Sequence, residues 1–228
     1  MSRNTKISAI LVAAFAIVIA AVAVTSRDDK TSGPGPSKPT TTQTQSGSTP
    51  EARFVAPDPR SLGSTGSSSV TVTEFLDFEC EACGAAYPMI EQLREQYKRR
   101  VTFNIRYFPI DGHRNARTSA AAVDAAAHQD RLEDMYKRMY ETQTTWGAKE
   151  DTQAPVFRKF AADMGLDMKA FDKAVADPKT AARVERDVQA GIALGVQGTP
   201  SFFINEERIE PESFDDLRSR LDDALSGS

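Results

Sequence analysis

The chain has 228 residues, a formal net charge of −4 and 8% aromatic residues. The negative balance excludes a nucleic-acid-binding surface as its main business, because such surfaces collect lysine and arginine. Two cysteines and two histidines, with no second C-x-x-C and no H-x3–5-H, exclude the usual four-ligand zinc site.

Residues 1–6, MSRNTK, carry Arg3 and Lys6. They precede ISAILVAAFAIVIAAVAV (7–24), a run without a charge. As a helix this run is ~27 Å long, close to the hydrocarbon thickness. It exceeds the ~7–15 apolar residues of a signal peptide, so a retained transmembrane anchor is predicted. Ala21-Val22-Ala23 keeps cleavage as the alternative. The basic residues before the span place 1–6 in the cytoplasm and the remainder outside. No cysteine lies near the end of the run, which excludes lipoprotein attachment. Residues 25–52 include TSGPGPSKPTTTQTQSGSTP (31–50) and read as a flexible linker with an r.m.s. span of ~25–30 Å. Residues 53–228 then form one domain of ordinary size. The expected location is a bacterial cell membrane, single-pass, with this domain in the oxidising envelope, where a cysteine pair can be a disulfide.

Within the domain, VTVTEFLDF (70–78) suits a buried strand. Ala85, Met89, Leu93 and Tyr97 recur every four residues, predicting a helix over 80–97 kinked at Pro88. VTFNIRYFP (101–109) is a second strand. A long Ala-rich helix is predicted at about 114–141, with shorter ones at 153–164 and 168–176. Asp177-Pro178 opens another helix, running to Leu194 and capped by Gly195. SFFIN (201–205) and ERIEP (207–211) form a strand pair, and 214–225 is a final amphipathic helix. The order is β-α-β, a helical insert at about 114–176, then β-β-α. The fold class is α/β, a thioredoxin fold with an all-helical insert between its halves.

The chemistry concentrates in FLDFECEACGAAYP (75–88). A disulfide nucleophile is a thiolate, and the first turn of a helix stabilises that charge on Cys80. Cys83 lies one turn on, where it resolves a mixed disulfide formed by Cys80. A structural staple is the alternative, but a loop this short restrains the unfolded chain little. A soft-metal carrier using the two thiols is another, and no neighbouring Met or His motif supports it. No metal and no cofactor is expected.

The run EFLDFECEAC resembles the active-site segment of the DsbA-like family of exported thiol-disulfide oxidoreductases. GVQGTPSFFIN (195–205) is similar to that family's cis-proline loop and strand. RYFPIDGH (106–113) is similar to its approach to the helical insert. The resemblance spans roughly residues 60–225 and implies specific roles. Cys80 would be the nucleophile and Cys83 the resolving thiol. Pro200 would be cis, against the alternative of a trans proline opening an edge strand. The Thr199 backbone would hold an extended substrate. Glu74 would relay protons to Cys83, or else be a solvated strand-end carboxylate. His113 and Trp146 read as packing or surface residues, and Tyr87 and Phe108 as core or groove wall.

Where strong oxidants of the family often carry Pro-His between the cysteines, this chain has Glu81-Ala82, and Glu79 precedes Cys80. One carboxylate ~7 Å from a sulfur disfavours its thiolate by ~0.6 kcal/mol in water and ~2.4 at an effective dielectric of ~20. A helix terminus returns ~0.3–1 kcal/mol. Solvated glutamates therefore predict a Cys80 less acidic than in the strongest oxidants.

With the anchor read from residues 7–24, the resemblance implies a tethered monomer that introduces disulfides into exported proteins bearing reduced cysteines, with a membrane redox partner that reoxidises it. The same fold run as a reductase or isomerase is the rival, although residues 25–52 cannot supply the extra dimerisation domain common among isomerases. A non-catalytic peptide-binding module is the other.

Overall fold

In the computed structural model the structure describes residues 60–227. The expected cytoplasmic tip, anchor and linker lie outside the described residues. Among the described residues no helix is long and apolar enough to cross a membrane.

Two central strands are parallel, β2 (Thr71–Leu76) and β3 (Thr102–Tyr107). Nearly every residue of both is buried, polar ones such as Thr73, Glu74 and Arg106 included, because both faces of the sheet are covered. A strand not foreseen, β1 (Arg60–Leu62), pairs antiparallel with β3. Three residues are too few for an alternation to show in a sequence. Beyond β2 come β4 (Ser201–Ile204) and β5 (Glu207–Ile209), both antiparallel to their neighbours, giving the order β1-β3-β2-β4-β5. The turn joining the last two places Asn205 at φ 55, a conformation asparagine tolerates.

Helix α1 (Glu81–Tyr97) covers one face. Its Cys83, Ile90, Leu93 and Tyr97 join Val72, Leu76 and Phe78 in the main core. The helix runs unbroken through Pro88 to Tyr97. On the other face Phe75 packs edge-on against Phe108 and Phe203, with ring centroids 6.2 and 5.6 Å away.

The predicted single helix over about 114–141 is instead two, α2 (Ala116–Ala127) and α3 (Leu132–Glu141). Asp130 between them is left-handed, at φ 57, and the Arg131 N–H returns to the Ala126 carbonyl. The polar run His128-Gln129-Asp130 has no apolar face to continue the helix. A short turn, α4 (Gln143–Trp146), follows. Trp146 is fully buried, edge-on to Phe157 at 4.8 Å, which fits its packing role. Helices α5 (Ala154–Asp163), α6 (Met168–Ala176) and α7 (Pro178–Ala193) follow as expected. Asp177 caps α7 by accepting the Lys179 N–H. A Cβ on Gly191 would lie 2.7 Å from the Phe108 ring, so only glycine lets α7 approach the sheet here. Helix α8 (Phe214–Ser226), capped by Ser213, closes the chain, and Tyr97 reaches it through a 2.8 Å bond to Asp222.

Candidate active site

The C-terminal end of β2 delivers Asp77-Phe78-Glu79 to the start of α1, and Cys80 is the residue that caps that helix. Its extended backbone (φ −67°, ψ 121°) turns the chain into the helix, and its carbonyl accepts the Gly84 N–H. Cys80 is half-buried, Cys83 is 1% exposed, and both are free thiols. The Thr199–Pro200 bond is cis, and the Thr199 carbonyl lies 3.4 Å from the Cys80 sulfur. Residues over a hundred positions apart are brought together because β4, which follows Pro200, pairs with β2.

The sulfurs occupy unequal environments. The Cys83 thiol hydrogen-bonds to the Cys80 sulfur and is the largest influence lowering Cys80 to about 5. Partial burial opposes this, while Thr199 and the backbone N–H groups of Cys83 and Ala82 assist it. Cys83 moves the other way: burial first, then its bond to Cys80 and the nearby Glu74, hold its thiol far above the usual range. One sulfur is a ready thiolate and the other a proton carrier.

Glu74 is 4% exposed and not a solvated strand-end carboxylate. It shares a face of β2 with Val72 and Leu76, the face that α1 covers. Burial, and secondly the Cys80 charge, raise it to about 8.

The two glutamates beside Cys80 behave differently from the solvated pair that sequence reasoning assumed. Glu79 is buried and turns inward to accept the Asn115 N–H at 2.6 Å, at the start of α2. Glu81 is exposed in the first turn of α1. Ala82 contributes its backbone N–H rather than its side chain. The largest influences lowering Cys80 are therefore Cys83, Thr199 and the backbone N–H groups of the helix terminus. The resulting value of about 5 still lies above the ~3.5 of the strongest oxidants.

Several residues shape the site without having been singled out. Asp77, fully buried, accepts the Glu79 N–H at 2.8 Å through one oxygen. Through the other it accepts the Ile110 N–H at 3.0 Å and His113 Nδ1–H at 2.7 Å. His113, read as a packing or surface residue, lines a cleft of about 780 Å³ together with Cys80. Gln143, from the helical insert, donates through Nε2 to the carbonyls of Phe78 and Cys80, both at 2.8 Å. Asp77 left a trace in the sequence as a carboxylate at a strand end just before the cysteine, and His113 as the last residue of RYFPIDGH, while Gln143 left none. Tyr87 stacks on Tyr140 at 5.3 Å beside the main core, and Phe108 is buried on the other face, as expected of core or groove-wall residues. Among the described residues no cluster of three or more His, Cys, Asp or Glu is placed to hold a metal.

A family model described as thioredoxin matches residues 56–223. The chain belongs to the thioredoxin family. This thioredoxin-family chain is similar in structure to alpha-DsbA1 of Wolbachia pipientis, with 18% identity and a TM-score of 0.67 over 78% of this chain and 96% of that one. It is likewise similar to oxidised BdbD of Bacillus subtilis, with 19% identity and a TM-score of 0.65 over 74% and 93%. A thioredoxin-like oxidoreductase of Silicibacter pomeroyi shares 24% identity and a TM-score of 0.64 over 76% and 95%. The fold is thus the DsbA-like form of thioredoxin, with the helical insert. Among curated proteins, the chain is 33% identical over 156 residues to the Na(+)/H(+) antiporter NhaA 3 of Salinispora tropica, covering 68% of this chain and 23% of the antiporter. It is 30% identical over 155 residues to NhaA 1 of Salinispora arenicola, covering 68% and 23%. The chain therefore spans under a quarter of the length of these curated relatives.

Proposed function

We propose that this chain is a membrane-tethered, extracytoplasmic thiol-disulfide oxidoreductase that donates the Cys80–Cys83 disulfide to exported proteins. The observation that carries the reading is the asymmetry of the pair: a half-exposed Cys80 lowered to about 5 over a buried Cys83 held protonated.

A substrate thiolate attacks Cys80 Sγ, the Cys80–Cys83 bond breaks, and Cys83 leaves with the electron pair. Cys83 takes a proton from Glu74, whose value of about 8 makes it a donor near neutral pH. A second substrate thiolate attacks the substrate sulfur of the mixed disulfide. Cys80 departs as a thiolate, the substrate is oxidised by two electrons, and the pair is left reduced. The Thr199 carbonyl, 3.4 Å from Cys80, is placed to hold the backbone of an extended substrate across the sulfur. A membrane partner then restores the disulfide.

Direction follows from the thiolate. A stable Cys80 thiolate favours the reduced form, so the disulfide is oxidising. A value of about 5 falls between the ~3.5 of the strongest oxidants and the ~7 of thioredoxin. The potential expected is then between about −120 and −270 mV. The tether rests on the uncharged run 7–24 and the linker after it.

Equilibrating the full-length chain with glutathione buffers tests the reading. A reduction potential above roughly −180 mV is expected. A value near about −270 mV would make it a reductant. Absence of a reversible couple would leave a peptide-binding module.

A further inference from the structure

Among the cleft side chains that the exchange steps above do not use, His113 is the one bonded to a buried carboxylate. His113 lies on the loop between β3 and α2, and its ring is 36% exposed. Its Nδ1–H donates to Asp77 Oδ2 at 2.7 Å. Asp77 is itself fixed by two backbone N–H groups, from Glu79 and Ile110. A carboxylate accepts only, so this bond assigns the proton to Nδ1. Nε2 takes no part in it and is where the second proton of an imidazolium sits.

We propose that the Asp77–His113 pair is the charge that tunes Cys80: an imidazolium, held in the cleft by a buried carboxylate, that stabilises the Cys80 thiolate as it leaves the mixed disulfide. The other charged groups lining this cleft are Glu79, Glu81, Arg114, Lys149 and Glu150. Glu79 is committed to the Asn115 N–H, and Arg114 donates to the Glu150 carbonyl. Glu81 is exposed and opposes a thiolate, as does Glu150. His113 is the cleft cation anchored to a buried carboxylate in the same loop system that carries Cys80. Partial burial opposes its protonation, but Asp77, then Cys80 and Glu79, hold the ring above its ordinary value. His113 acts through Cys80 and is a positioning residue rather than a catalytic one.

Coupling of this kind is reciprocal. The thiolate must favour the imidazolium by the same factor as the imidazolium favours the thiolate. In the full-length reduced chain, His113→Gln is expected to raise the thiolate titration midpoint, read by absorbance near 240 nm, by about tenfold in acid constant. Against glutathione the same variant is expected to hold its disulfide about tenfold more firmly, about 30 mV for a two-electron couple. Asp77→Asn should move Cys80 in the same direction by less. Because a buried aspartate variant can fail to fold, the deciding measurement uses the wild type. The His113 ring is titrated by NMR in the dithiol and disulfide states, with His128, the second of two histidines, as internal control. The His113 midpoint is expected to fall on oxidation while that of His128 stays put. A His113 midpoint indifferent to redox state, with a Cys80 midpoint unmoved in His113→Gln, overturns the proposal. The inference rests on the Cys80–Cys83 redox reading, and the two fail separately. A chain lacking a reversible couple loses the proposed function, while the titration of its reduced form still decides whether His113 and Cys80 are coupled.

Discussion

Burial acts on Glu74 and Cys83 in the same sense, keeping a proton on each, while the helix terminus and neighbouring donors strip Cys80 of its own. For Glu74 the consequence is measurable in stability. Below its ordinary 4.5 the group is protonated in both folded and unfolded chains. Between 4.5 and about 8 only the unfolded chain ionises, so stability falls as pH rises through this window. Glu74→Gln removes the penalty. Urea unfolding is expected to show a gain on the order of a few kcal/mol at about pH 8 and none near about pH 4. The same variant should slow thiol exchange, since an amide gives Cys83 no proton. A variant as pH-sensitive as the wild type would refute the buried acid. At this scale Cys80 and Cys83 were legible from their spacing, and the cis Thr199–Pro200 bond from the resemblance. Side-chain direction was not. Glu79 stands next to Cys80 in the chain, yet its carboxylate serves Asn115.

Among the elements, the contact between α1 and α4 fixes the cysteine loop. A Cβ on Gly84 would lie 2.0 Å from Gln143 Oε1 and 2.8 Å from the carboxamide carbon. Gly84→Ala must therefore push Gln143 aside, and with it the donor that serves the Phe78 and Cys80 carbonyls. Losing those bonds costs about 1–3 kcal/mol, which outweighs the ~1 kcal/mol that alanine adds within a helix. Gln143→Ala is expected to cost a similar amount. The double variant should be far less destabilised than the sum, because both act through one side chain. Strict additivity in chemical denaturation would show that the Gly84 contact is absorbed elsewhere. Helix periods and caps mark α5, α6 and α7 in the sequence. They did not reveal the break between α2 and α3, because helical spacing resumes directly after the short polar run His128-Gln129-Asp130, where Asp130 turns left-handed.

For the whole molecule the redox state and the fold are linked through Cys80. Its folded value, about 5, lies below the ordinary 9.0, so the reduced chain gains stability that is complete above about pH 9 and lost as pH falls through about 5. The disulfide closes too short a loop to repay this by restraining the unfolded chain. Thermal unfolding is therefore expected to give the reduced form the higher Tm at about pH 7–8, with the gap closing toward about pH 5. An oxidised form more stable at neutral pH would mark a reductant and sink the oxidase direction.

The sequence by itself determined the order β-α-β, helical insert, β-β-α and the pair at Cys80 and Cys83, while the cis proline before β4 was implied by the resemblance to the DsbA-like family. The order and the cysteine pair are written locally, in a period and a spacing. The tertiary structure decided what surrounds the sulfurs. β2 lies between β3 and β4, which carries Thr199 to Cys80, buries Glu74 beneath α1, and sets the β3–α2 loop with His113 against Asp77. The His113–Asp77 and Cys80–Thr199 contacts join positions 36 and 119 residues apart. Desolvation and hydrogen bonding depend on distance in space, and no local pattern encodes it.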